Sequence, residues 1–379
     1  MVKAGYKQTD FGVAPVDWKS QTLGDFVSLQ RGHDLTERDR KPGAVPVMGS
    51  AGHNGFHSQS LISGPGIVIG RSGASFGQAH YCEVDFWPHN TALYVTDFHG
   101  NDPLFAFYFL RSVDFSRHNS GGAQQSLNRN FIAPIPIITP PLPEQEVIAG
   151  ALSDADALIE SLEQLLTKKR RIKQGAMQEL LTGKRRLPGF KGKWTKKELG
   201  HICDIEMGRT PSRLNSAYWG DGYTWLSIAD LNGKVVSSSK EQITKLASDS
   251  MQIIPKGTLL MSFKLSLGRL CFAGCDLYTN EAICSFRNAK ANLNFLYYAL
   301  GQTNFSIYGK QAAKGYTLNK ESLSLISVNF PPIDEQQAIG ETLSDMDSEL
   351  TALEEKLIKA KAIKQGMMQE LLTGRIRLV

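Results

Sequence analysis

The chain lacks the features that mark membrane, secreted and disulfide-rich proteins. Its 379 residues contain no apolar run of about 18 residues, the length that a transmembrane helix needs. The opening residues MVKAGYKQTDFG hold no apolar segment of the signal-peptide type. Five cysteines are odd in number and too sparse for a disulfide framework. We therefore expect a cytoplasmic protein, and its length favours two domains of about 150 residues.

Nucleotide-binding and methyltransferase motifs are lacking as well. The glycines of residues 64–66 and 70–77 fit neither G-x-G-x-x-G nor the Gly-Lys-Ser/Thr of a P-loop. Residues 329–332, Asn-Phe-Pro-Pro, lack the order and the final aromatic residue of an Asn-Pro-Pro-Tyr motif, so we interpret them as a joint between a strand and a helix. These absences argue against a self-contained DNA nuclease or methyltransferase.

Metal ligands do not occur at a useful spacing. Cys271, Cys275 and Cys284 have no second close pair and no histidine pair to complete four ligands, so we predict buried thiols. His53 and His57 lie in a glycine-rich loop that supplies no rigid spacing, which favours contact or solvent roles. The sequence therefore predicts no metal site.

Charge is distributed unevenly along the chain. Residues 188–333 carry 17 Lys and Arg against 10 Asp and Glu, a net charge of +7, whereas residues 1–142 carry 11 of each. A polyanionic partner for the basic segment is consistent with this excess, and so is an ordinary basic domain.

The strongest pattern present is an internal repeat. IKQGAMQELLTGKRRL at residues 172–187 recurs as IKQGMMQELLTGRIRL at residues 363–378, an offset of 191 (363 − 172). Nearer the start of each copy the offset is 176, so the second copy has about 15 extra residues (191 − 176) between Gly208 and Gly257. The repeat predicts four segments: a variable domain at 1–142, a helical segment at 143–187, a second variable domain at 188–333 and a second helical segment at 334–379.

The helical segments have a heptad pattern. Apolar residues alternate at spacings of four and three, which predicts two paired helices of roughly 35–40 residues. Leu-Thr-Gly ends each run, with Gly183 and Gly374 as C-terminal caps. The heptad positions are Ile148, Leu152, Ala155, Ile159, Leu162 and Leu166 in the first segment, and Ile339, Leu343, Met346, Leu350, Leu353 and Leu357 in the second.

Charges in both helices favour an antiparallel pair. Acidic residues such as Asp156 and Asp347 lie early in each segment, and lysines such as Lys173 and Lys364 lie late. Antiparallel pairing brings acid to base at both ends, whereas parallel pairing places like charges together. The alternative is that each helix simply complements its own dipole.

The variable domains consist of short apolar or alternating runs separated by Gly, Pro and Asn turns, with one helix-like run late in each, which predicts mixed α/β domains. Their loops concentrate Arg, amide and small residues, which suit contacts to bases and phosphates, although an ordinary surface loop is the alternative for each residue alone. The DNA-binding candidates are Arg31, His33, Arg38, His53, Asn54, Arg71, Ser72, Gln124, Gln125, Asn128 and Arg129 in the first domain, and Arg209, Thr210, Ser212, Arg213, Lys264, Arg269, Lys310, Lys314 and Tyr316 in the second.

The four-segment layout, the Glu-Gln pairs at 144–145 and 335–336 and the doubled Lys-Gln-Gly-x-Met-Gln-Glu-Leu-Leu-Thr-Gly tail resemble the DNA-specificity (S) subunit of type I restriction-modification enzymes. The domain openings, Trp18 with Leu23-Gly24 and Trp194 with Leu199-Gly200, fit as well. The openings differ further on, where Gly-His-Asp-Leu at 32–35 stands opposite Gly-Arg-Thr-Pro at 208–211, so the two domains need not hold DNA alike.

The resemblance implies an α+β protein with two mixed α/β target-recognition domains in a pseudo-twofold arrangement, separated by two long helices that form an antiparallel coiled coil. It implies that each domain binds one half of a split, asymmetric site in double-stranded DNA. It also implies two methyltransferase subunits that use S-adenosylmethionine and two restriction subunits that use ATP and Mg²⁺. No catalytic residue is expected in this chain, and the alternative is a coiled-coil scaffold for a non-DNA ligand.

Residues near the end of each helix that lie off the heptad positions are our candidates for docking a methyltransferase subunit. Packing against the adjacent domain would explain them equally well. The candidates are Gln174, Met177, Gln178, Gln365, Met368 and Gln369.

Overall fold

A computed structural model describes residues 5–9, 12–118, 126–312 and 315–378. The chain divides into two compact units: unit 1 is Met1–Gln164 with Glu355–Val379, and unit 2 is Leu165–Glu354. Each unit therefore combines one variable domain with the beginning of one long helix and the end of the other.

The elements of unit 1 come first in the chain. Its strands are β1 (Tyr6–Thr9), β2 (Gly12–Pro15), β3 (Lys19–Thr22), β4 (Ser28–Arg31), β5 (Val45–Gly49), β6 (Gly52–His57), β7 (Gly66–Gly70), β8 (Ala79–Cys82), β9 (Trp87–Pro88), β10 (Ala92–Asp97) and β11 (Pro136–Thr139). Its helices are α1 (Leu23–Phe26), α2 (Pro103–Ser112), α3 (Arg129–Ile132) and the first part of α4 (Leu142–Leu180).

Unit 2 repeats this order with additions. Its strands are β12 (Thr195–Glu198), β13 (Asp204–Met207), β14 (Trp219–Leu226), β15 (Val235–Val236), β16 (Glu241–Ile243), β17 (Leu259–Ser262), β18 (Leu270–Ala273), β19 (Tyr278–Thr279), β20 (Ile283–Arg287), β21 (Lys310–Ala312), β22 (Gly315–Thr317) and β23 (Ser327–Phe330). Its helices are α5 (Leu199–Ile202), α6 (Lys245–Ser248), α7 (Leu293–Gly301), α8 (Lys320–Ser324) and the first part of α9 (Ile333–Leu371).

The main sheet is the same in both units except at one edge. Unit 1 has the antiparallel order β4-β10-β7-β8, and unit 2 has β13-β20-β17-β18 followed by β15, which pairs parallel to β18. A smaller three-stranded sheet accompanies each, β6-β5-β9 in unit 1 and β16-β14-β19 in unit 2. The extra residues of the second copy thus add a strand to an otherwise common sheet.

One helix packs on the main sheet of each unit and carries its aromatic core. The Asp102 carboxylate caps α2 by accepting from the Phe105 amide at 2.6 Å, and the Asn292 side chain caps α7 through the Phe295 amide at 3.0 Å. Pro103 at the start of α2 fixes a helical φ at a position where the helix makes no hydrogen bond from the backbone amide. Phe105 and Phe295 are fully buried, which confirms the predicted helix late in each domain.

The first two heptad positions of each helix are buried in the core of its unit. Ile148 and Leu152 are fully buried in the core of unit 1 together with Leu371, from the end of α9. Ile339 and Leu343 are fully buried in the core of unit 2, which also contains Leu180. Both helices are 39 residues long and end before glycines with positive φ, +70° at Gly183 and +69° at Gly374. The start of each helix therefore packs with the end of the other.

Ion pairs confirm the antiparallel orientation. In unit 1 the Lys364 ammonium pairs with Asp156, and Lys361 pairs with Glu163 at 2.6 Å. In unit 2 Lys173 pairs with Asp347. Two further ion pairs join the helices in unit 2: Lys169 with Glu349 and Arg170 with Glu354, both at 2.6 Å. Late bases meet early acids of the other helix, so pairing across helices explains the charges better than the helix dipole alone.

A buried glutamate explains the repeated Glu-Gln pairs. Glu144, 2% exposed, accepts from the Arg377 guanidinium at 2.9 and 2.7 Å and from the Trp18 indole at 3.0 Å. In unit 2 Glu335, fully buried, accepts from Arg186 Nε at 2.9 Å. The arginine at the end of each tail thus neutralises the glutamate at the start of the other helix.

The neighbouring glutamine completes this joint in both units. Gln145 Oε1 accepts from the Asp102 amide at 3.0 Å, and its Nε2 donates to the Pro140 carbonyl at 2.9 Å. Gln336 makes the same two contacts, with the Asn292 amide and the Pro331 carbonyl. Each glutamine therefore fixes the start of α2 or α7 to the joint before the long helix.

We expect Arg377→Ala to destabilise the protein by about 3–5 kcal/mol, because it leaves Glu144 buried without a cation. Chemical denaturation followed by fluorescence measures the loss. Arg375→Ala is the matched control: Arg375 pairs with the partly exposed Glu370 at 3.0 Å, and its loss should cost less than about 0.5 kcal/mol. Equal effects of the two substitutions would contradict the assignment.

A second prediction concerns the acid stability of unit 2. Burial alone would raise the pKa of Asp347, but hydrogen bonds from Lys173 and Tyr298 outweigh it, and the pKa is lowered. The carboxylate therefore contributes stability that is present above the unfolded-state value of about 3.9 and is lost as the pH falls through the lower folded-state value. We expect Asp347→Asn to be less stable than the wild type at pH 7, with a difference that shrinks below about pH 4.

Urea denaturation at several pH values between 7 and 3 measures this difference. The matched control is Asp345→Asn, two residues earlier on an exposed position of α9. A wild-type advantage over Asp347→Asn that stays constant down to pH 3 would show that the ionised carboxylate is not the stabilising group.

Candidate nucleic-acid interface

In unit 1 the candidate loops meet around the segment between β9 and β10, residues 89–91. The Asn90 amide donates to the His33 carbonyl at 2.9 Å, and the Arg71 amide donates to the Thr91 carbonyl at 3.1 Å. The Ser50 amide donates to Thr91 Oγ1 at 3.2 Å. The DNA-binding candidates of unit 1 come from four predicted loops, residues 31–38, 49–57, 70–77 and 119–129. These bonds bring three of the four loops to one place, and we call residues 89–91 the loop hub of unit 1.

Arg71 joins the fourth loop to the hub. Its carbonyl accepts from the Leu127 amide at 2.8 Å, its Nη1 donates to the Asn90 carbonyl at 3.0 Å, and its Nε donates to the Leu127 carbonyl at 3.4 Å. Burial, together with the nearby positive charge of Arg31, lowers the pKa of Arg71. Arg71 is therefore a structural brace of the loops, with a second guanidinium close to it.

Several candidates of unit 1 are exposed to solvent. Arg31, at the end of β4, is exposed, and none of the described residues forms a hydrogen bond or ion pair with its side chain. Exposed positions are also occupied by His33, Arg38, His53, Asn54 and Arg129, and Ser72 is half-buried. Asn128 instead caps α3, accepting from the Asn130 amide at 3.0 Å. Gln124 and Gln125 lie outside the described residues.

The equivalent hub of unit 2 is residues 280–282, and its central side chain differs from that of unit 1. Residue 281, the counterpart of Asn90 at the offset of 191, is Glu281, and the Thr210 hydroxyl donates to its carboxylate. That hydrogen bond is the main reason why the pKa of Glu281 is lowered, and the nearby charges of Lys264 and Arg213 act in the same direction. The Arg209 amide donates to the Thr279 carbonyl at 2.8 Å, as the His33 amide does to Pro88. An acceptor-only carboxylate thus stands where unit 1 has an amide.

Arg213 is held in place by aromatic rings. Its guanidinium lies 3.7 Å from the centre of the Trp219 ring and 5.2 Å from that of Trp225. Two of its nitrogens donate to Glu241, at 2.5 and 2.9 Å, and this pairing raises the pKa of Arg213. The side chain is still 51% exposed, so one face of a preoriented guanidinium remains open to solvent.

The remaining candidates of unit 2 are more loosely held. Arg209 and Ser212 are exposed, with Arg209 Nη1 donating to the Ser250 carbonyl at 3.3 Å. Lys264 and Arg269 flank the turn between β17 and β18. Lys314 and the side chains of Lys310 and Tyr316 lie outside the described part of the chain, although the strands β21 and β22 are described.

The predicted thiols and histidines have ordinary structural places. Cys271 and Cys284 are fully buried, as predicted, whereas Cys275 is only half-buried. Burial raises the pKa of Cys271 to about 12, so it is an unreactive thiol. His57 is buried, and its Nδ1 accepts from the Lys41 amide at 3.1 Å. Among the described residues no group of three His, Cys, Asp or Glu side chains is placed to hold a metal ion.

The tail candidates are divided between core and surface. Met177 and Met368 are half-buried and pack against the cores of unit 2 and unit 1, respectively. Gln174, Gln178, Gln365 and Gln369 are exposed. In unit 2 Met177 and Gln178 line a recess of about 410 Å³ together with residues such as Gln302 and Asn329. The methionines therefore have a packing role, and the glutamines remain available to a partner.

Sequence reasoning missed the residues that hold the loops together. Residues 89–91 and Glu281 were not among the candidates, and neither were the two tryptophans beside Arg213. The hub lies between two strands of different sheets, and its contacts are mostly backbone hydrogen bonds, which leave no residue-type signal. For Arg213 a usable signal was present, because Trp219 and Trp225 follow residues 208–213 closely in sequence.

Comparison with known proteins gives the family. The family model for the type I restriction modification DNA specificity domain matches residues 15–170 and again residues 191–361, one match in each half of the chain. The chain therefore belongs to the specificity subunits of type I restriction-modification systems, which are the non-catalytic subunits of these systems.

A curated relative and two solved structures are similar to this chain over more than 90% of its residues. A putative type I restriction enzyme MjaX specificity subunit from Methanocaldococcus jannaschii is 23% identical, covering 98% of this chain and 96% of the relative. The S subunit of M. genitalium has a TM-score of 0.64 at 16% identity, covering 93% of this chain and 96% of that one. The HsdS subunit of Thermoanaerobacter tengcongensis has a TM-score of 0.51 at 17% identity, covering 99% and 100%. The last two likenesses concern the fold.

None of the helices in the described part of the chain is both long and apolar enough to cross a membrane.

Proposed function

We propose that this chain is the sequence-specific DNA-binding subunit of a type I restriction-modification complex and that it binds a bipartite, asymmetric site. The two loop hubs carry the proposal: equivalent loops converge in both units, and the side chains that they present differ. Two similar scaffolds with different polar groups suit two different half-sites in one duplex. The four segments predicted from the repeat are then two target-recognition domains, 1–142 and 188–333, and two spacer segments, 143–187 and 334–379.

The chemistry of the hubs suits different bases. In unit 1 Arg31 offers five donors for guanine or phosphate, and the amide of Asn54 suits adenine. In unit 2 the Glu281 carboxylate can accept from the amino group of cytosine, while Arg209 and Arg269 face the solvent as donors. The locked guanidinium of Arg213 loses little entropy on binding. The net charge of +7 in residues 188–333 supports phosphate contacts by this domain.

Partner subunits belong to the same proposal. We infer that the exposed glutamines of the two tails contribute to docking two methyltransferase subunits, which supply S-adenosylmethionine chemistry, and that two restriction subunits supply ATP-dependent cleavage. The repeated tail supports this, because two equivalent surfaces suit two copies of one partner. Such a complex works where the DNA is, in the cytoplasm.

Arg31→Ala tests the DNA surface of unit 1. We expect it to weaken binding of the target duplex by about tenfold and to reduce the slope of log affinity against log salt by about 1, because one guanidinium contact is lost. Gel shifts of the chain together with its methyltransferase subunits, over a range of salt concentrations, measure both. Lys19→Ala, an exposed cation on β3 away from the hub, is the control. Binding that responds neither to salt nor to Arg31 would favour a scaffold for another ligand.

Helix length tests the bipartite site. We expect insertion of one heptad into both α4 and α9, at facing positions, to lengthen the gap between the half-sites while each half-site keeps its sequence. Each helix gains about 10 Å, at 1.5 Å per residue. Methylome sequencing of cells that express the variant system identifies the new site. Altered half-site sequences with an unaltered gap would show that the helices do not set the spacing.

A further inference from the structure

One strand edge is paired in unit 2 and unpaired in unit 1. In unit 2 the amides of Phe272 and Gly274 donate to the carbonyls of Lys234 and Val236, at 2.7 and 2.8 Å, and so bind β15 to the edge of β18. Their counterparts at the offset of 191 are Tyr81, on β8, and Glu83, which directly follows β8. The register of β8 with β7 turns the Tyr81 amide away from β7, and no described strand pairs with that side of β8.

The difference has a simple origin in the chain. In unit 1 β5 and β6 are joined by a tight turn at Ser50 and Ala51. The corresponding connection in unit 2, between β14 and β16, runs from Ser227 to Lys240 and contains β15. Most of the extra residues of the second copy therefore form the segment that covers the strand edge, and the part of unit 1 that the structure describes contains no such segment.

A groove follows the open edge in unit 1. The groove has a volume of about 790 Å³. Its floor is formed by Gln78 and by the four residues of β8, 79–82. Phe107 and Arg111 of α2 line one side, and residues 51–53 of the hairpin line the other. The Tyr81 and Phe107 rings lie 5.5 Å apart, like their counterparts Phe272 and Tyr297 at 5.4 Å. The aromatic pair beside β15 in unit 2 thus has a counterpart in unit 1. Glu83 takes the place of Gly274, where an added Cβ would lie 2.0 Å from Ser237 Oγ in unit 2, so a bound segment must leave room for the Glu83 side chain.

The polar end of this surface is also preserved. Lys234, next to β15, donates from Nζ to Tyr298 Oη at 2.6 Å and to Ser344 Oγ at 3.0 Å, and it lies 3.3 Å from Asp347. The counterparts of these three acceptors in unit 1 are the triad Tyr108, Ser153 and Asp156.

Unit 1 lacks only the lysine. The Asp156 side chain is 42% exposed, against 24% for Asp347, so its carboxylate has room for a second cation. Arg111 lies 5.4 Å from the centre of the Phe107 ring, on the groove wall, and forms no hydrogen bond with any of the three residues in the described structure. A basic side chain that enters along β8 would find the same acceptors as Lys234.

We propose that the β8 edge of unit 1 binds an extended segment of a second protein, added parallel to β8. The geometry of unit 2 defines the chemistry of that segment: a Lys or Arg for the Tyr108, Ser153 and Asp156 triad, followed by two β-branched apolar residues, as in Lys234-Val235-Val236. Backbone hydrogen bonds to Tyr81 and Glu83 supply affinity that depends little on sequence, and the basic and apolar residues supply selectivity. This proposal does not depend on the proposed DNA function, although the groove shares His53 with the DNA-binding candidates.

The probe is a synthetic peptide with the sequence of residues 231–240, LNGKVVSSSK, added to the full-length protein. Hydrogen exchange at residues 79–83 is measured with and without peptide, and residues 270–274 serve as an internal control, because their edge is already paired. We expect saturating peptide to slow exchange of the Tyr81 and Glu83 amides by about tenfold or more and to leave residues 270–274 unchanged. A peptide with Lys234→Ala should bind about tenfold more weakly.

A grafted variant provides the matched control. Replacing Ser50 and Ala51 by residues 227–240 gives unit 1 its own covering segment, so Tyr81 should be protected without peptide, and added peptide should have no further effect. Failure of the peptide to protect residues 79–83 at any concentration would overturn the proposal. Protection that persists in the grafted variant, or that a scrambled peptide produces equally, would overturn it too.

The same exchange measurement is repeated with a target DNA duplex in place of the peptide, because His53 lines the groove and is also a DNA-binding candidate. We expect a target duplex to leave exchange at residues 79–83 unchanged. Protection of these residues by DNA and not by peptide would assign the groove to the nucleic-acid interface instead.

Discussion

Each unit depends on a buried glutamate at the start of one long helix and an arginine just beyond the end of the other. Glu144 and Glu335 are almost completely removed from water, and a carboxylate in that position is tolerated only beside a cation that also satisfies its lone pairs. Arg377 and Arg186 provide that cation through paired hydrogen bonds. Since the charges are matched across helices, the antiparallel orientation is fixed at the ends, where apolar heptad contacts alone leave the register less well defined.

The repeat made much of this architecture predictable from the sequence. The four-three spacing identified the helix faces, because burial of a narrow apolar stripe is a local property of residue order. The caps at Gly183 and Gly374 were visible for the same reason. The loop hubs were not visible, since backbone amides of residues 50, 71 and 90 carry no side-chain signature and meet only after the sheets have formed. Arg71 and Asn128 are residue types that are common in DNA-binding loops, but in this structure their side chains help to hold their own loops in place.

Comparison of the two units separates scaffold from specialisation. The sheet, the capped helix and the glutamine at each joint are the same, and they place the hub in the same way. What differs is the side chain at the hub, Asn90 or Glu281, the aromatic support of Arg213 and the strand edge beside α2. A duplicated domain can change these without disturbing its core, because loops and sheet edges contribute little to the buried apolar area.

The division of the chain between units has a consequence for synthesis on the ribosome. Unit 2 is one continuous stretch, residues 165–354, whereas unit 1 also needs residues that follow unit 2, Glu355–Val379, which contain Leu371 and Arg377. Unit 1 begins to be translated first, yet its core is completed only after all residues of unit 2 have been translated. Until residues 355–379 have been translated, Ile148 and Leu152 remain without their partners from α9, and a nascent chain that stalls before residue 355 presents them to chaperones and proteases.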